Sequence, residues 1–325
     1  MRARIFFWLA ILLAALLLYL TLRGVDWSAF LRALRGANYL YIGLLFLWSS
    51  ASYLIRATRW RVLLNSQKQI RTILVFWANM AGYLGNTVLP ARAGELVRAG
   101  YISRREGIPI VFVLATGLTE RLIDLAALVI IGVTSLFFTE AFPDSVHAAL
   151  EKFGVIAVLG VICIFLLPLF HGLIQRMLTG LPWLSQGWKG RVLQIIEQFV
   201  EGLKTIGRIE RGVPFLLFTA LIWLMDGIGT IVLAEALHES LSLAQSFLLI
   251  AALGISSALP STPGYLGVYQ FVAVTVLVPF GFAREAALAF ITLLQASNLL
   301  LVFVWGGMSL WREAGKIIAS DQQLS

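Results

Sequence analysis

Nine apolar stretches, each near the length of a membrane-crossing helix, run through this sequence. They lie at about 5–22, 39–58, 72–89, 108–138, 153–170, 213–237, 243–259, 264–282 and 286–311. A helix needs about 20 apolar residues to cross the hydrocarbon core, and lipid offers an open backbone no hydrogen bonds. The runs are continuous rather than ten-residue alternations, which excludes a β-barrel. The chain is therefore read as an all-α polytopic membrane protein, a single integral membrane unit over residues 1–325. Composition agrees, with 59% apolar and 13% charged residues, against roughly 45–50% apolar in soluble domains.

Charge orients the spans, because cytoplasmic loops carry the excess of Lys and Arg. Arg2 and Arg4 precede the first span, which has no small-residue cleavage site after it and is read as uncleaved. The 23–38 connection is then an outside loop, and the next one, with Arg56, Arg59, Arg61, Lys68 and Arg71, is cytoplasmic. Residues 72–89 are apolar, yet Arg92, Arg98, Arg104 and Arg105 follow them. A full crossing would export four arginines. A re-entrant hairpin over 72–104, broken at Pro90 and Gly94, keeps both flanks inside. The same bookkeeping turns 243–282 into a second hairpin entering from the other face, broken at Pro260, Pro263 and Gly264. Six full spans and two inverted hairpins place 19 basic residues inside and 5 outside, with Arg121 inside a span. A full crossing at 72–89 gives a weaker bias. The expected location is the plasma (bacterial inner) membrane, with both termini cytoplasmic.

The two tips share a pattern, Leu89-Pro90-x-x-x-Gly94 and Leu259-Pro260-x-x-x-Gly264. It divides the chain into a first half of about 1–170 and a second of about 213–312. Inverted repeats around broken helices recur in transporters. Prolines that merely kink two ordinary helices are the alternative. Between the halves, about 187–210 reads as a cytoplasmic amphipathic helix, with Val192, Ile196, Phe199 and Leu203 on one face.

Charges at membrane depth are the candidate site. Arg92, Glu95 and Arg98 share a helix face, and the next span carries Glu120, Arg121 and Asp124. Three arginines and three acids are formally neutral. Either they lock two helices together, or an arginine, Arg92 or Arg98, is released to grip an anionic headgroup through its planar fork. Tyr265, Tyr269 and Gln270 follow the second break and could line a headgroup path or pack as core. Asp226 is a further acid within a span, suited to a hydrogen bond or to proton coupling.

No phosphate-binding loop, nucleophile elbow or metal-ligand spacing occurs, and Cys163 is the lone cysteine. No cofactor, metal or enzymatic activity is expected. The net charge of +8 is explained by loops facing anionic lipid, without nucleic acid.

The segments "NTVLPARAGELVRAGYISRREG", "TERLIDL" and "LPSTPGYLGVYQ" resemble signatures of the lysylphosphatidylglycerol synthase transmembrane family, the flippase-like membrane domain of the multiple peptide resistance factor. The resemblance covers roughly residues 5–315. It implies a membrane domain that moves lipids or lipid-linked groups between leaflets, with anionic phospholipid or polyprenyl-linked groups as partners. A homo-oligomer or a partner enzyme is compatible with it. Bifunctional members carry a soluble aminoacyl-transfer domain after the membrane part. The chain ends at Ser325, so that activity is expected to be absent.

Overall fold

A computed structural model describes residues 2–89, 93–139, 208–257 and 263–324, with single positions between 155 and 197. Every long element among them is a helix, and no strand occurs among the described residues. In chain order they are α1 (Arg2–Leu22), α2 (Trp27–Gly36), α3 (Tyr39–Leu64), α4 (Thr72–Val88), α5 (Gly94–Glu106), α6 (Ile110–Leu136), α7 (Ile209–Ala236), α8 (Leu243–Ser256), α9 (Val268–Leu277) and α10 (Arg284–Leu324). Two short 3-10 turns, Pro263–Tyr265 and Val278–Phe280, flank α9. Apart from those single positions and residues 208–210, the expected span at 153–170 and the amphipathic helix at 187–210 lie outside the described residues, as do Pro90, Arg92 and Pro260.

The protein is an all-α polytopic membrane protein. Tyr39–Leu64, Ile209–Ala236 and Arg284–Glu313 are long and apolar enough to cross a bilayer. α6 matches them in length, with 27 residues, but carries Glu120, Arg121 and Asp124 in its middle. α8 and α9 are shorter apolar helices.

The 23–38 stretch is no simple loop. Gly24, at φ 79°, turns the chain, and α2 leaves α1 at 88°. Asp26 caps α2, accepting from the amides of Ser28 at 2.8 Å and Ala29 at 3.2 Å. The Ser28 hydroxyl and these amides hold its carboxyl below the usual aspartate range. Phe30, Ala33 and Leu34 pack on the core while Trp27 and Leu31 stay exposed. Such a helix suits the plane of the membrane interface, where Trp is favoured. Arg284 at the start of α10 donates to the carbonyls of Leu20 and Thr21 at 2.6 and 2.8 Å. That caps the end of α1, whose last carbonyls have no helical partner.

Two apolar cores hold the helices. One gathers Trp60, Met80, Phe112 and Phe215, and the other Leu233, Leu249, Ala287 and Phe290. α4 and α5 fold against one another through glycines. A Cβ on Gly94 would stand 1.9 Å from the Gly82 carbonyl oxygen, and one on Gly85 2.9 Å from Gly94 Cα. Small residues permit this approach, as they do at other membrane helix contacts. On its other side α4 meets α10, where the Ser309 hydroxyl donates to the Trp77 carbonyl at 2.8 Å.

Candidate functional site

Four helices bring their charges to one place. α3 supplies Arg59, α5 supplies Glu95 and Arg98, α6 supplies Glu120, Arg121 and Asp124, and beside them α3 and α7 supply Arg56 and Asp226. Residues three or four apart share a helix face. Arg56 and Arg59, Glu95 and Arg98, and Glu120 and Asp124 therefore each point one way.

At the deep end, the Arg59 guanidinium spans both oxygens of Asp124, at 2.5 and 2.9 Å. Its Nη2 also donates to Glu120 Oε1 at 2.8 Å. The other Glu120 oxygen accepts from Arg98 Nη1 at 3.0 Å. Arg98 Nε then donates to Glu95 Oε2 at 2.6 Å, and Arg121 Nη2 donates to Glu95 Oε1 at 2.7 Å. The result is one alternating chain: Asp124, Arg59, Glu120, Arg98, Glu95, Arg121. Three positive and three negative charges cancel, which is what membrane depth demands.

Exposure grades along this chain. The side chains of Arg59 and Arg98 are 1% and 2% exposed, while those of Glu95 and Arg121 are 30% and 45% exposed. Arg98 is sealed on every side. Its Cζ lies 4.4 Å from the centre of the Trp60 ring, a cation–π contact. Asn79 accepts from it at 3.3 Å, and a Cβ on Gly117 would come within 2.8 Å of its Nη2. Arg59 similarly faces Phe215, at 5.2 Å.

A separate pair stands next to the chain. Arg56 on α3 is paired with Asp226 on α7, which also accepts from the Ser52 hydroxyl at 3.2 Å. The rings of Tyr53 and Trp223 flank Arg56 at 6.0 and 5.6 Å. Tyr53 packs on Tyr83 with ring centres 5.1 Å apart.

Of the residues singled out in sequence, Glu95, Arg98, Glu120, Arg121 and Asp124 come together. Arg92 lies outside the described residues, and Arg59 provides the third positive charge of the chain. The assignment of Arg56 and Arg59 to a cytoplasmic connection is corrected. α3 continues to Leu64, so both arginines lie on a spanning helix, and Arg59 is buried. A hydropathy window ends where charges begin. The legible signal was spacing: Ser52, Arg56 and Arg59 recur at helical intervals on one face.

Tyr265, Tyr269 and Gln270 form a different cluster, at the second break. The two tyrosine rings stack at 4.7 Å and 9°, and Tyr269 packs on the core. Gln270 is buried and ties the turn before α9 to α10. Its Oε1 accepts from the Gly267 amide at 2.7 Å, its Nε2 donates to Gln295 Oε1 at 2.5 Å, and Gln295 Nε2 donates to the Gly264 carbonyl at 2.9 Å. Gln295 was missed because a lone glutamine in an apolar helix gives no pattern. Gly264 was expected as a break, and beyond its chain neighbours no described atom lies within 4 Å of where its Cβ would be. Its role is the φ of 73°. Gly267 does meet a neighbour: its Cβ would stand 2.2 Å from the Ala14 carbonyl oxygen of α1.

Comparison with known proteins agrees with this architecture. The family described as "Lysylphosphatidylglycerol synthase TM region" matches residues 7–306. The chain is similar to "Glycosyltransferase AglD" of Haloferax volcanii, 28% identical over 224 residues. That match covers 60% of this chain and 36% of the relative, so the chain spans about a third of the relative's length. No solved structure matches it.

Proposed function

The chain belongs to the lysylphosphatidylglycerol synthase TM region family, and from that premise we propose that it translocates a lipid or lipid-linked group between leaflets. The polar headgroup would pass through a cavity near the midplane, between two re-entrant helix pairs, α4–α5 and α8–α9. The tails would stay in lipid, which keeps the desolvation of the headgroup small. The protein would sit in the plasma membrane with both termini cytoplasmic.

The observation that carries this reading is the graded exposure of the ion-pair chain. Its outer end can open at low cost. When an anionic headgroup draws Arg121 away, Glu95 keeps its bond to Arg98, so no carboxylate is left without a cation. The inner end cannot open in this way, because removing Arg59 or Arg98 strands buried charge. Arg121 is thus the headgroup contact, Glu95 its resting partner, and Arg98, Glu120, Arg59 and Asp124 the frame that aims them. Arginine suits a phosphate because its donors match two oxygens at once. Tyr265, Tyr269 and Gln270 would shape the far side of the path, at the second break.

The test is translocation of dye-labelled anionic and zwitterionic lipids in liposomes holding the purified protein. Arg121→Gln is expected to abolish the protein-dependent rate while the protein remains folded. Wild-type protein that moves no lipid would end the translocator reading. A second reading has one observation in its favour, the similarity to a relative named as a glycosyltransferase of which only about a third is matched. On it, the chain binds lipid and serves a separate synthase or glycosyltransferase without transport. Lipid binding that depends on Arg121, with no movement, supports that reading.

A further inference from the structure

The four acids of the charged region differ in what happens when their arginine is engaged elsewhere. Glu95 and Glu120 each have two arginines. Asp124 depends on Arg59, which is sealed at 1% exposure. Asp226 depends on Arg56, and that pair is open, with side chains 16% and 29% exposed. Removing Arg56 takes away that ion pair and leaves Asp226 its bond from the Ser52 hydroxyl.

Among charged and titratable neighbours, α3 presents Arg56, Tyr53 and Arg59, α4 presents Tyr83, and α6 presents Asp124 and Arg121. α8, which packs on α7, has no charged residue in Leu243–Ser256, and the spanning part of α10 carries its charges only at its ends. No second cation stands ready on these helices for Asp226, since Arg59 is committed to Glu120 and Asp124 and Arg121 to Glu95. An unpaired carboxylate at this depth is costly, and a proton removes the cost.

We propose that the Arg56–Asp226 pair is a second, proton-coupled anion site: an anionic headgroup takes the Arg56 guanidinium, and Asp226 takes a proton from water. The charges balance. Before binding, Arg56 and Asp226 cancel; afterwards Arg56 is cancelled by the ligand's single negative charge, and Asp226 is neutral. The transfer of the anion is then electroneutral, with one proton moving with it. Arg56 lies three residues from Arg59 on α3, and the ion-pair chain runs from Arg59 to Arg121, so the two sites belong to one charged region. The proposal rests on the lipid-handling reading above and supplies what that reading lacks, a coupling ion.

The experiment uses the full chain in detergent and dihexanoyl phosphatidylglycerol as probe, a phosphodiester that does not itself titrate near neutrality. Calorimetry at pH 6.5 in two buffers of different ionisation heat counts protons taken up on binding. Close to one proton per probe is expected for the wild type. Asp226→Asn is expected to bind with uptake near zero, Asp226→Glu to restore it, and Arg56→Gln to bind roughly tenfold more weakly, the size of one lost charge-assisted bond. Should the asparagine variant fail to fold, wild type and the glutamate variant still decide. Wild-type binding without proton uptake overturns the proposal, as does full uptake in the asparagine variant or no binding by the wild type. In liposomes, translocation that survives without proton uptake overturns this proposal alone. Proton uptake on binding without translocation overturns the translocator reading alone.

Discussion

The helix that follows the first break, α5, carries ionised side chains into the core, whereas the start of α9 after the second is held by neutral amides. Gln270 and Gln295 satisfy the Gly267 amide and the Gly264 carbonyl directly. At the first, the polar groups that follow the break, Glu95 and Arg98, reach across to α6 and through it to α3. Amides close a backbone opening at modest cost and hold no charge to exchange. Ion pairs at depth are expensive to assemble, and each one that stays partly open keeps a charge available to a ligand. The glycines differ in the same spirit. Gly94 is needed for contact with Gly82, and Gly264 for its backbone angle. A shared Leu-Pro-x-x-x-Gly spelling therefore covers two different physical uses.

The sharpest way to break this contrast is Glu120→Ala. It removes the shared acid of two sealed arginines, and the expected loss is about 3–5 kcal/mol, the cost of breaking a buried ion pair. Collapse of the monodisperse peak on size exclusion after mild heating would register it. If the variant is as stable as wild type, the chain is not the frame described above. Next comes a pair of glycine variants followed by thermal denaturation. Gly94→Ala forces an overpacked contact and is expected to cost about 1–3 kcal/mol or more. Gly264→Ala has room for the methyl group and loses about 1–2 kcal/mol to its left-handed angle. The reverse order would show that the breaks are equivalent after all.

Gln295→Leu then tests the neutral side, where stranding the Gly264 carbonyl and the Gln270 amide should cost about 1–3 kcal/mol, read from the same melting curves. Transport should persist at temperatures where that variant stays folded. Arg121→Gln is expected to have the smallest effect on stability, under about 1 kcal/mol for a half-exposed pair. Its effect on lipid movement should be the largest of the series. A variant that melts like wild type and stops transport separates contact from frame.

Much of this was legible from spacing and hydropathy. The apolar runs marked the helices because lipid tolerates little else, and Glu95, Arg98, Glu120 and Asp124 announced themselves as charges at helical intervals within them. What escaped had physical reasons. Arg56 and Arg59 sit where α3 turns from apolar to basic, and a charge there reads as a loop until its partners on other helices are known. α2 escaped because ten residues with mixed charge resemble a connection, and its fit to the core depends on neighbours far along the chain. Gln295 escaped because closing a backbone gap is a three-dimensional duty with no sequence period. Arg92 or Arg98 was the expected headgroup contact; Arg98 is buried under Trp60, beside Gly117, and the proposed contact is therefore Arg121.

The ion-pair chain also has a history in the making of the protein. Arg59 is synthesised 61 residues before Glu120 and 65 before Asp124, and Arg56 precedes Asp226 by 170. α3 therefore emerges from the ribosome with Arg56 and Arg59 in its C-terminal third and none of the acids that pair with them, and an unpaired arginine opposes entry into a bilayer. A helix in that condition is poorly suited to be released into lipid alone. Arg59 meets its acids only once α6 is made and Arg56 only once α7 is made, so the charges of α3 are matched in two steps set by the order of synthesis.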